Sequence, residues 1–141
     1  MNKKASAVWQ GGLKDGRGTV STESGVLSDA AYSFRTRFEN KKGTNPEELV
    51  GAAHAGCFSM ALSAQLGEAG LNPERIETAA TVTLEKVADG FAVTAVHLDV
   101  SATVPGADEA KFQAVANKAK EGCPISKLLN AKITTQARLK A

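Results

Sequence analysis

The stretch from Asn45 to Gly70 constrains this chain more than any other. Asn45 is a good helix N-cap, Pro46 suits the first helical position, and Glu47 and Glu48 favour the positive end of the helix dipole. Asn45 with Glu48 three residues on resembles a capping box. No further charged side chain follows until Glu68, and Gly67 and Gly70 supply stop signals, so the helix is expected to run to about Gly67. Its middle, Gly51-Ala52-Ala53-His54-Ala55-Gly56, is almost all small side chains. Such a helix has weak lateral anchors and demands that other elements pack close to its backbone on several sides. Helix propensity accounts for the alanines but not for Gly51 and Gly56. The uncharged stretches are rich in Ala, Gly, Ser and Thr, which speaks against a transmembrane helix.

The remaining pattern is β-rich. Ala5 to Gln10 and Gly18 to Thr22 are short β-like runs beside turn-rich Gly11-Gly12 and Lys14-Asp15-Gly16. Tyr32 to Phe38 reads as the clearest strand, with Tyr32, Phe34, Thr36 and Phe38 on one face and Ser33, Arg35 and Arg37 on the other. Thr78 to Leu84 and Ala92 to Val100 alternate across a hairpin signal at Asp89-Gly90. A second helix is expected from about Asp108 to Glu121, with Phe112, Val115, Ala116 and Ala119 as its apolar stripe. A short helix starts at Pro124, and Ile133 to Leu139 makes a last strand. The order predicts an α+β fold with mostly antiparallel pairing around a long central helix, in a single domain spanning 1–141.

Seventeen Lys and Arg against fifteen Asp and Glu leave a charge of +2, which argues against nucleic acid as a partner. Ala5 to Gly11 is too short and polar for a signal-peptide core, so the expected compartment is a reducing cytoplasm, without a membrane partner. Two cysteines, Cys57 and Cys123, are too few for a disulfide scaffold or a structural zinc site. In that compartment they are either catalytic or buried packing groups. Cys57 lies mid-helix, where free Cys often packs as a small hydrophobe. His54, three residues earlier, shares its helical face and is a possible base. Cys123 precedes Pro124 at a helix start, where backbone N–H groups and the dipole favour a thiolate. Local chemistry alone therefore ranks Cys123 above Cys57 as the nucleophile. Arg35 and Arg37 are either a solvated polar face or a source of guanidinium for a thiolate, and Glu47 is a carboxylate to hold such a group.

The runs Gly18 to Leu27, Thr36 to Glu39, Gly43 to Leu62 and Lys118 to Ser126 resemble the OsmC/Ohr family over nearly the whole chain. The Asn-Pro-Glu…Cys segment followed 66 residues after its cysteine by Cys-Pro is the specific part. The resemblance implies a thiol-dependent peroxidase that reduces organic hydroperoxides in oxidative or osmotic stress defence. It implies Cys57 as the reactive cysteine, Cys123 as the resolving one, and Arg37 with Glu47 as the activating arginine and its carboxylate. Arg37 follows the OsmC branch pattern, with Arg17 and Arg35 as fallbacks. It implies no bound cofactor or metal, an external dithiol reductant such as a lipoyl protein or thioredoxin, and an intertwined homodimer with two interface active sites.

Glu47 and Cys57 lie ten residues apart, about 15 Å of helical rise and about 80° off-face. Either Arg37 bridges most of that gap or the carboxylate comes from a second subunit. Phe34, Phe38, Phe58 and Met60 are candidates to line an alkyl-binding pocket, or else ordinary core. Two other readings compete. A Cys57/His54 hydrolase needs no Cys123 and lacks an evident third member to orient the histidine. A non-catalytic dimer that binds small molecules uses its cysteines only for packing.

Overall fold

The computed structural model describes residues 1–140. The chain forms two compact units, Met1–Leu49 and Val50–Ala141. In the first, β1 (Ala5–Gln10), β2 (Arg17–Thr22) and β3 (Ala30–Tyr32) make an antiparallel sheet in that order. Trp9 and Tyr32 bring their rings to 5.5 Å over Gly18 between them. A Cβ on Gly18 would stand 2.5 Å from the Tyr32 ring and 2.6 Å from Trp9, so this position admits no side chain. All of β1 is exposed, and between residues 1 and 49 only Gly18 and Thr36 are buried. The first unit thus has no apolar core of its own.

The alternation read as a strand at Tyr32 to Phe38 is instead the end of β3 followed by a short helix, α1 (Phe34–Phe38). Ser33 caps it. Its hydroxyl accepts from the Thr36 amide at 3.3 Å, and the Thr36 hydroxyl accepts from the Ser33 amide at 2.9 Å. This reciprocal box satisfies two otherwise orphaned donors and outweighs the β-like pattern. Phe34 and Phe38 are four residues apart, which places them on one side in a strand and a helix alike. Their rings meet at 4.9 Å. Arg35 and Arg37, expected on one strand face, are two apart on a helix and diverge.

The long helix α2 (Pro46–Glu68) begins at the end of the first unit. Asn45 caps it, its Oδ1 accepting from the Glu48 amide at 2.8 Å. In the second unit α2 buries His54, Phe58, Leu62 and Leu66, a row spaced by four. The sheet order is β4 (Arg75–Val87), β5 (Gly90–Thr103) and β6 (Lys132–Lys140). β4 and β5 form the expected hairpin, and β6 joins β5 in parallel. A parallel partner needs a crossover, which α3 (Glu109–Gly122) and α4 (Pro124–Leu128) supply. Val96, Leu98, Val100 and Ala102 of β5 meet Phe58, Leu62 and Leu66, with Phe112, Ala116 and Ala119 of α3 completing one core. Gly51 is a close-approach position, because a Cβ there would lie 3.3 Å from Val82 Cγ2.

The opposite row of α2, Ala52, Gly56, Met60 and Ala64, is exposed, and Met60 keeps 77% of its surface open. A Cβ on Gly56 would meet nothing within 4 Å. By length and apolarity α2 does reach what a membrane crossing needs, contrary to the sequence reading. Its buried row is nonetheless the core of the second unit.

Candidate active site

The two cysteines come together in the second unit. The Gly122-Cys123-Pro124 sequence breaks the chain between two helices. Pro124 disfavours helical backbone in the residue before it, and Cys123 adopts φ −59°, ψ 125°. Cys123 closes α3 by donating its amide to the Ala119 carbonyl at 2.9 Å, and it opens α4 by accepting from the Lys127 amide at 3.1 Å. Its side chain is fully buried and turned onto α2, where its Sγ lies 2.9 Å from Cys57 Sγ. Both thiols are free.

They do not ionise alike. Burial pushes the Cys57 thiol up, the hydrogen bond to Cys123 pushes it further, and the Ile125 amide offsets only part of this. None of the groups acting on Cys57 is a cation. Burial also opposes ionisation of Cys123, but the Cys57 thiol, the Ser126 amide and hydroxyl and the Ile125 amide together bring it below the ordinary thiol value. A first proton lost from the pair therefore leaves a Cys123 thiolate held by a Cys57 S–H. That ranking agrees with the local chemistry of a helix start.

His54 is fully buried and directs its Nε2 at the Ser126 hydroxyl, 2.8 Å away. The sequence offered it as a base for Cys57, and the structure commits that nitrogen to Ser126 instead. Ser126 is the residue that sequence reasoning missed. It lies inside the Cys-Pro motif, but its pairing spans 72 residues, which no local pattern reveals.

In the first unit Arg37 and Glu47 form a forked ion pair. The Arg37 Nε donates to both carboxylate oxygens at 3.0 and 3.1 Å, and its Nη2 donates to Oε1 at 2.6 Å. The pair is held from both sides, since α1 carries Arg37 and the first turn of α2 carries Glu47. Asn45 ties the two helices by donating to the Thr36 carbonyl at 3.1 Å. The Arg37 guanidinium also lies over the Phe38 ring, 5.2 Å from its centre. Of the fallback arginines, Arg35 pairs weakly with Glu39 at 3.7 Å, and Arg17 is exposed at the start of β2. Phe58 belongs to the core and Met60 to the exposed row of α2, so neither reads as a pocket wall within this chain. Among the described residues no group of three or more His, Cys, Asp or Glu side chains is arranged to hold a metal ion.

An α+β fold with two oxidisable thiols in contact, one buried at a helix junction, defines a two-cysteine thiol protein. The chain belongs to the OsmC family: the model of OsmC-like proteins matches residues 39–138. It is 56% identical over 141 residues to peroxiredoxin OsmC of Escherichia coli, covering 100% of this chain and 99% of that protein. It is 30% identical over 124 residues to organic hydroperoxide resistance protein OhrB of Bacillus subtilis, covering 87% of this chain and 89% of that one. The crystal structure of the same OhrB superposes with a TM-score of 0.69 at 28% identity, covering 97% and 98% of the two chains. An OsmC-like protein of Mycoplasma pneumoniae, at 15% identity, shares the fold with a TM-score of 0.77 over 100% and 99%.

Proposed function

We infer that this chain is a thiol-dependent peroxidase that reduces organic hydroperoxides to alcohols. The observation that carries the reading is the contact of Cys57 and Cys123 at 2.9 Å, supported by the family. The Cys57 thiolate attacks the distal peroxide oxygen, the O–O bond breaks, and the alkoxide takes a proton to leave as the alcohol. Cys57 is left as a sulfenic acid. The Cys123 thiolate then attacks the Cys57 sulfur. The S–S bond forms, the S–O bond breaks, and hydroxide leaves to become water. An external dithiol, such as a lipoyl protein or thioredoxin, reduces the disulfide. A cycle that needs reduced thiols suits the cytoplasm.

Cys57 must ionise before it can attack, and its own surroundings oppose this. Arg37 is the cation suited to the task, fixed by its fork to Glu47. With Glu47 ten residues from Cys57 along α2, we place the Arg37–Glu47 pair of one subunit beside the Cys57 of the other. Two features support a homodimer: a first unit with no core, and an apolar row on α2 that the chain leaves uncovered. Peroxide consumption tests the activity, with cumene or tert-butyl hydroperoxide set against hydrogen peroxide and a dithiol as reductant. Faster turnover of the organic peroxides is expected. No turnover of any peroxide by the reduced protein overturns the reading.

A further inference from the structure

Among the described residues His54 is the one fully buried ionisable side chain that the peroxidase cycle does not use, and its placement is directional. Its Nε2 lies 2.8 Å from Ser126 Oγ, while its Nδ1 is buried without a partner. A neutral ring can carry its proton on either nitrogen. A proton on Nδ1 would bury an unpaired N–H. A proton on Nε2 leaves Nδ1 only a bare lone pair, the less costly orphan, and makes the ring a donor to Ser126. Protonating both nitrogens is opposed by burial, which holds the His54 pKa below its ordinary value. A Ser126 oxygen that accepts from His54 has its own O–H left to donate. The acceptor it faces is the Cys123 sulfur: Cys123 is the N-cap of α4 and Ser126 stands three residues on, the spacing at which an N-cap side chain and the third helical residue meet, and the Ser126 hydroxyl is among the groups that bring the Cys123 thiol down.

We propose that His54, acting through Ser126, is a positioning residue for the resolving cysteine: the chain His54 Nε2–H to Ser126 Oγ–H to Cys123 sulfur holds the resolving thiolate aimed at Cys57. The proposal rests on the peroxidase reading above. The other groups on Cys123 are the Cys57 thiol and the Ile125 and Ser126 amides, which remain when His54 is replaced. The arrangement divides labour within one helix face. Cys57 answers to the peroxide and its activating cation, whereas His54, one turn earlier on α2, serves the second sulfur.

Single-turnover kinetics on the full-length reduced protein separate the two steps. One equivalent of cumene hydroperoxide is added, sulfenic acid is trapped with dimedone, and disulfide is read by mass spectrometry. In His54→Phe and in Ser126→Ala the sulfenic acid should form at the wild-type rate and accumulate. Disulfide formation should slow by about tenfold or more, the scale of one hydrogen bond to a charged group. The double variant should be no slower than either single one. His54→Gln, whose amide N–H can replace the Nε2–H donor, should recover most of the rate. A readout without peroxide runs beside it: the pH dependence of Cys123 alkylation in a Cys57→Ser background should move upward on Ser126→Ala or His54→Phe and return with His54→Gln. Equal slowing of both kinetic phases, additive effects, or an unmoved Cys123 titration overturns the proposal. Absence of any peroxide reaction with an intact Cys123 shift instead sinks the peroxidase reading alone.

Discussion

At the scale of single residues, the two thiols carry different predictions. Cys57→Ser should abolish peroxide turnover. Cys123→Ser should still reduce one equivalent of organic hydroperoxide but leave a Cys57 sulfenic acid, visible as a dimedone adduct, and lose most steady-state turnover with a dithiol. Arg37→Gln removes the cation proposed to act on Cys57, where none of the groups that shift the thiol is a cation. Its kcat/KM at neutral pH should fall by about tenfold or more, and the pH–rate profile should shift upward, since a charge partner at contact moves a pKa by about 1–3 units. His54 links stability to pH. Its folded pKa lies below its unfolded value of about 6.5. The unfolded chain therefore binds more protons below that pH, and stability falls as pH drops through it and levels off beneath the folded pKa. Denaturant titrations from pH 8 to 5 should show this slope in wild type and a weaker one in His54→Gln.

At the scale of elements, α2 shows how far cap chemistry reaches and where it stops. Asn45, Pro46 and the two glutamates placed its start, and Gly67 lies within a residue of its end. Its two glycines part company in the fold. Gly51 meets Val82 of β4, so Gly51→Leu should cost about 1–3 kcal/mol of unfolding free energy by overpacking. Gly56 faces open space, so Gly56→Leu should leave the chain folded by circular dichroism while weakening self-association in sedimentation. The segment before α2 is the instructive miss. Aromatics at 34 and 38 satisfy both a period of two and a spacing of four, so periodicity could not separate strand from helix. The Ser33–Thr36 box decided it, and its three-residue spacing was present in the sequence all along.

At the scale of the whole molecule, the proposed homodimer is tested by asking which subunit activates which thiol. Mixing Glu47→Ala and Cys57→Ser chains should restore activity in the heterodimer if the Arg37–Glu47 pair acts across subunits. Activity that never exceeds the sum of the two parents places the pair in cis. The α+β order, the hairpin at Asp89-Gly90 and both later helices were legible in the sequence alone, because capping, turn chemistry and short-range periodicity are local. The parallel docking of β6 on β5, the 2.9 Å approach of sulfurs 66 residues apart and the commitment of His54 to Ser126 were not. Each depends on packing between segments distant in the chain, which burial of one shared core brings together and no local pattern encodes.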